Sequence, residues 1–198
     1  MRAKKVLALS MALATVAAAS TTAFAAELTN ANPSGSTEVT AKILSGEVSY
    51  IITIPDKVDF GDLTQPAEDV DSYKDINYTV TATEINNLPS NSRVAVYVKD
   101  ENADLENNLF YLTQKVESNP TQLMYDVYGV DTDIDTSIPV NNGNFNEANG
   151  GYLLAAFDKQ GDSLTGTLRL NQNQLYGENL NDIAGDYSGK MVFSSSIV

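Results

Sequence analysis

Val48-Ser49-Tyr50-Ile51-Ile52-Thr53-Ile54-Pro55 decides how the rest of this chain is read. Val48, Tyr50, Ile52 and Ile54 recur at every second residue, the period of a strand that lays one face on a core, and not the period of a helix. Pro55 ends the run because it brings no backbone N–H to a ladder. Val58-Asp59-Phe60 then makes a short extension closed by Gly61.

The same alternation spreads outward in both directions. Upstream, Val39, Ala41 and Ile43 alternate with Thr40 and Lys42, which predicts a strand over 37–44 turned by Ser45-Gly46. Downstream, Ile76, Tyr78, Val80 and Ala82 alternate with Asn77, Thr79 and Thr81, and Val94, Val96 and Val98 alternate with Ala95 and Tyr97. Leu109 to Thr113, Leu123 to Tyr128, Tyr152 to Phe157 and Leu164 to Leu170 add further strands, with a short one at Ile138 to Val140. Tyr187 to Val198 reads as one long terminal strand. The connections are acidic or amide-rich: Leu63 to Lys74, Asp100 to Asn108, Asp131 to Gly150, and Asn171 to Gly185, the last with a helical turn near Leu180 to Ile183. No window sustains a helical period and no internal repeat is visible. The pattern predicts an all-β chain: a single immunoglobulin-like β-sandwich of roughly eight to ten strands with long acidic loops, over residues 37–198.

The first 25 residues follow another logic. Arg2, Lys4 and Lys5 precede an apolar run from Val6 to Ala19, and Ala23-Phe24-Ala25 fits the small-x-small cleavage rule. The run falls short of the ~20 residues a membrane span needs. A signal peptide over 1–25 is expected, then a flexible leader over 26–36 rich in Asn, Ser, Pro and Gly, and no transmembrane segment in the mature chain. The expected location is therefore secreted and associated with the cell surface. No sorting motif or apolar anchor is read near Val198, so nothing in the sequence names a covalent mode of retention.

Composition narrows the chemistry. The chain has 12 basic and 26 acidic residues, a net charge of −14, and neither Cys, His nor Trp. Loss of residues 1–25 would remove three basic residues and no acidic ones, leaving −17. Such a polyanion is repelled by nucleic-acid phosphates and anionic lipid, so no nucleic-acid partner is expected. Without Cys or His, thiol nucleophiles, Ser-His-Asp triads and His-ligated zinc are closed routes. Carboxylate chemistry remains open, because glycoside hydrolysis needs only two acids. The absence of Cys also fits export from a Gram-positive-type cell.

Val48 to Pro55 followed by Val58-Asp59-Phe60-Gly61 resembles the opening of Gram-positive cell-surface β-sandwich proteins. Gly185-Asp186-Tyr187-Ser188-Gly189-Lys190-Met191-Val192-Phe193 is similar to their closing strand and to that of many pilin subunits. The groupings resembled are the WxL-type surface proteins and pilin-like or adhesin-like immunoglobulin-type domains, over about Val48 to Val198. The resemblance implies a non-enzymatic surface role. The chain departs from the WxL pattern in having no Trp, so peptidoglycan binding is not carried over, and no functional residue is transferred.

Two polar or aromatic groups are candidate sites. Asp131, Asp133 and Asp135 form a D-x-D-x-D run that opens like a calcium loop, but Thr136 stands where Gly is needed and Asn142 where the closing Glu belongs. A looser calcium site on those carboxylates stays open, with a solvated acidic loop as the alternative; no other cofactor is indicated. Tyr111, Tyr125, Tyr128 and Tyr152 are candidates for a glycan platform, against the alternative that they fill strand positions with their rings in the core. Lys42 invites an isopeptide link to a last-strand Asn, but Tyr187 to Val198 contains none, and the Lys reads as an edge charge.

Together these readings predict a secreted, non-catalytic structural or adhesive protein of the cell surface, in its sharper form a pilin-like subunit self-associating through the strand at 37–44. A carbohydrate-binding module is the alternative, and a carboxylate-dependent glycosidase the third. Expected partners are a cell-surface protein or a glycan.

Overall fold

The computed structural model describes residues 26–29 (backbone only), 46–103 and 109–198. The expected signal over 1–25, the expected strand over 37–44 with Lys42, and part of the Asp100 to Asn108 loop lie outside those residues. Eleven strands are described. The first six are β1 (Ala26–Thr29), β2 (Ser49–Ile54), β3 (Tyr73–Asn86), β4 (Val94–Asp100), β5 (Phe110–Gln114) and β6 (Gln122–Tyr128). The others are β7 (Phe145–Asn146), β8 (Gly151–Phe157), β9 (Ser163–Asn171), β10 (Tyr187–Ser188) and β11 (Met191–Ile197). One helical turn, α1 (Leu180–Ile183), lies where the sequence places it.

The strands form two antiparallel sheets. The larger runs β1-β2-β3-β9-β6-β5-β10 and the smaller β11-β4-β8-β7. The all-β sandwich read from the alternation is the fold of the chain. Tyr50, Ile52 and Ile54 of β2, Tyr78, Val80 and Ala82 of β3, Leu168 and Leu170 of β9, and Leu123, Tyr125 and Val127 of β6 are buried in one core. Val94, Val96 and Val98 of β4, Phe157 of β8 and Phe193 of β11 meet them from the smaller sheet. A fully buried aliphatic side chain stabilises by about 1.5–3 kcal/mol relative to exposure, so these facing rows are the main source of cohesion. The Tyr50 hydroxyl and the Ser195 hydroxyl hydrogen-bond at 3.1 Å in this interior, tying the two sheets together. Burial raises the Tyr50 pKa above its ordinary value, partly opposed by that bond.

Four local readings are corrected. The terminal strand is two strands: β10 pairs with β5 in the larger sheet, and β11 pairs with β4 in the smaller. The chain changes sheets at Gly189, where a Cβ would collide with the Tyr111 carbonyl, so only a glycine passes. Ile138 to Val140 is not a strand; the chain instead makes a 3₁₀ turn at Val140–Asn142. Ala26–Thr29, inside the segment read as a leader, pairs with β2 from Ala26↔Ile54 to Thr29↔Ile51. Finally, β4 does not alternate between buried and wet, because Ala95 and Tyr97 are buried as well as its valines. Over that outer face the Ser194 hydroxyl, opposite Tyr97, donates to the Asn149 carbonyl, which brings the turn before β8 onto the sheet.

Candidate functional site

Period 2 puts one side chain of every pair on the outer face of the larger sheet, and antiparallel register decides which ones meet. Asp75 of β3 lies opposite Arg169 of β9, and Arg169 lies opposite Asp126 of β6. The result is an acid–base–acid row across three strands. Arg169 holds Asp75 in a fork, Nε to Oδ1 at 2.8 Å and Nη2 to Oδ2 at 2.7 Å. Its third nitrogen, Nη1, reaches Asp135 Oδ1 at 2.5 Å. The guanidinium also sits 4.4 Å from the centre of the Tyr73 ring. A planar guanidinium suits this combination of bidentate pairing and stacking, which an ammonium cannot reproduce.

The charges in this row are unequal. The hydrogen bond to Asp75 first, and that to Asp135 after it, push the Arg169 pKa further above its ordinary value. Burial pushes the Asp126 carboxyl up, and the nearby Arg169 only partly offsets it. The Tyr73 hydroxyl donates to Asp71 Oδ2 at 3.0 Å, and that bond raises its pKa. Beyond the paired ends of β3 and β9, Asn171 donates to Asp71 and Asn173 to Asp69. A row of carboxylates, each met by an amide or by Arg169, thus leads from the loop before β3 onto the sheet, with Tyr73 half-exposed at its centre.

The residues singled out from sequence are distributed otherwise. Of the three aspartates considered for calcium, Asp135 is turned to Arg169, and Asp133 adopts φ 52°, its carbonyl accepting from the Thr136 and Ser137 hydroxyls. Among the described residues, no group of three or more acidic side chains gathers to hold a metal. Of the four tyrosines considered for a glycan, Tyr125 is buried between Phe60 and Phe110, at ring-centre distances of 5.9 and 5.6 Å. Tyr152 is buried edge-on against Phe145, and Tyr128 is buried too. Tyr111 alone is partly open. Buried rings present no face to a sugar, so these four do not form one platform; the hydrophobic demand of the core claims three of them.

Tyr73, Asp75 and Arg169 were not singled out from the sequence. Their signal was there in part. Arg169 is a lone cation between Leu168 and Leu170, which period 2 sends to the outside. Its partners depend on β9 lying between β3 and β6, a long-range pairing that local pattern does not encode.

No protein-family model matches the chain, and no curated protein matches it. Among solved structures, a chain of a chaperone–tip adhesin complex involved in CFA/I fimbriae biogenesis aligns with a TM-score of 0.39 at 15% identity. The alignment covers 74% of this chain and 41% of that one, so this chain spans less than half of that neighbour's length. Likeness at this level identifies neither a family nor an activity. Among the described residues, no helix is long and apolar enough to cross a membrane.

Proposed function

We propose that the protein is an exported, non-catalytic β-sandwich that works at the cell surface as a structural or adhesive component. The observation that carries this reading is how the polar side chains are used. Asp75 and Asp135 are engaged by Arg169, Asp69 and Asp71 by Asn173 and Asn171, and the buried Asp100 by the backbone N–H groups of Asn102 and Tyr111. These bonds hold strand to strand and loop to strand; an acid–base pair working on a substrate needs carboxylates free to exchange protons. The signal-like segment 1–25 and the acidic composition support export and solubility. Localisation tests the reading: antibody against the protein should label intact cells, and labelling confined to lysed cells would sink it. A hydrolase activity abolished by replacing one carboxylate pair would also sink it. In the pilin-like version, deletion of 27–44 removes polymers and leaves a folded monomer; polymers unchanged by the deletion reject that version.

A carbohydrate-binding role is the second reading, now favoured by a different residue. Tyr73 is 49% exposed, with Arg169 over its ring and Asp71, Asp75 and Asn171 nearby, a combination of aromatic face and convergent polar groups. Glycan-array binding lost in Tyr73→Ala and kept in Tyr111→Ala supports it; absence of binding to any glycan rejects it.

A further inference from the structure

The edges of the two sheets are unequal. Strands β7 and β10 end their sheets with two residues each, too short to template another strand. Strand β11 is a seven-residue edge whose one ladder partner among the described residues is β4, and the register runs without a shift from Met191↔Asp100 to Ile197↔Val94. Strand β1, of the opposite sheet, lies near it but shares no described ladder with it. Residues 191–198 contain no charged side chain, no proline and no bulge, which are the usual means of blocking an edge.

The phase of the edge follows from its flanking bonds. Arg93 and Val198 exchange both backbone hydrogen bonds, at 2.9 Å each, and Glu101 N–H donates to the Lys190 carbonyl. Even-numbered residues of β11 therefore spend their backbone groups on β4. Met191, Phe193, Ser195 and Ile197 aim theirs away from the sheet.

We infer that this edge pairs with the same edge of a second copy, antiparallel about a two-fold axis at Ser194. In that register Met191 meets Ile197 of the other copy and Phe193 meets Ser195, so all four outward residues fall into hydrogen-bonded pairs. Ile197, 40% exposed in the single chain, gains Met191 of the other copy as its opposite neighbour. Charge favours this edge over others. A chain of net charge −14 repels its own copy, and a stretch without charged side chains is where two copies approach at least cost. The self-complementary contact is closed and stops at two. It is separate from the expected strand at 37–44.

The register makes a sharp test. Ser194 faces its own counterpart in a non-hydrogen-bonded pair, where Cα atoms lie about 4.5 Å apart, within reach of a disulfide. The chain has no cysteine, so a single introduced thiol is unambiguous. Purified Ser194→Cys should form a disulfide-linked dimer under mild oxidation, Ser196→Cys alone should not, and Val192→Cys mixed with Ser196→Cys should cross-link as a heterodimer. Wild-type protein should sediment as a monomer–dimer equilibrium, and Ser194→Lys, which sets two like charges face to face, should weaken it at least 10-fold with the circular dichroism unchanged. Wild-type protein that stays monomeric across the concentration series overturns the inference. So does equal cross-linking of Ser194→Cys and Ser196→Cys.

Discussion

Arg169 is the residue on which the outer face of the larger sheet depends. Its side chain is 11% exposed, and it satisfies Asp75 and Asp135 while stacking on Tyr73. Replacement by Ala leaves Asp75 and Asp126 facing each other across an empty row. A loss of about 1–3 kcal/mol in urea unfolding is expected, with Arg169→Lys recovering only part because it cannot fork. Asp126 makes the opposite prediction. Its carboxyl is pushed up by burial, so the folded state holds its proton more tightly than the unfolded state does. Its contribution is most favourable below the ordinary carboxylate pKa of about 3.9 and is lost as pH rises through the raised folded value. Asp126→Asn should therefore stabilise at pH 7, by up to about 1 kcal/mol after solvent screening, and give no gain near pH 3. Unfolding curves at the two pH values read this directly.

At the scale of elements, the strands were legible and their ends were not. The alternation of Tyr50, Ile52 and Ile54 and of Tyr78, Val80 and Ala82 states which face is buried, because a half-buried strand has to carry that period. The split of the last strand at Gly189 could not be read, because the turn is set by the Tyr111 carbonyl, 78 residues earlier in the chain. Strand β6 holds a similar surprise. Where β9 no longer pairs with it, the Gln174 side chain takes over: its Nε2 donates to the Met124 carbonyl at 2.9 Å, and its Oε1 accepts from the Met124 N–H at 2.7 Å. An amide side chain can stand in for a peptide, but a Gln in a polar connection gives no sign of it. Gly166 is the element-scale test. A Cβ there would strike the Tyr128 carbonyl and the Tyr78 ring, which crosses the strand at this point and donates its hydroxyl to the same carbonyl. Gly166→Ala should cost at least about 1–3 kcal/mol by overpacking, measured by thermal unfolding, whereas Gly150→Ala, in open space at φ 64°, should cost only its backbone strain.

For the whole molecule, the missing Cys, His and Trp set the terms. A chain without them has to make its sandwich from aliphatic and tyrosine side chains, and three of the four tyrosines considered as a platform are consumed in doing so. The candidate site was legible only as a surplus of acid and one outward Arg; its geometry arises from which strands are neighbours. What the described surface offers a partner is therefore an edge and a polar sheet face. In the function proposed above, such a molecule acts outside the cell. N-terminal sequencing of the protein shaved or washed from intact cells tests this most directly. A chain recovered from the cell exterior and beginning at Ala26 is the predicted result; a chain found only in the cytoplasm and still carrying Met1 to Ala25 would contradict it.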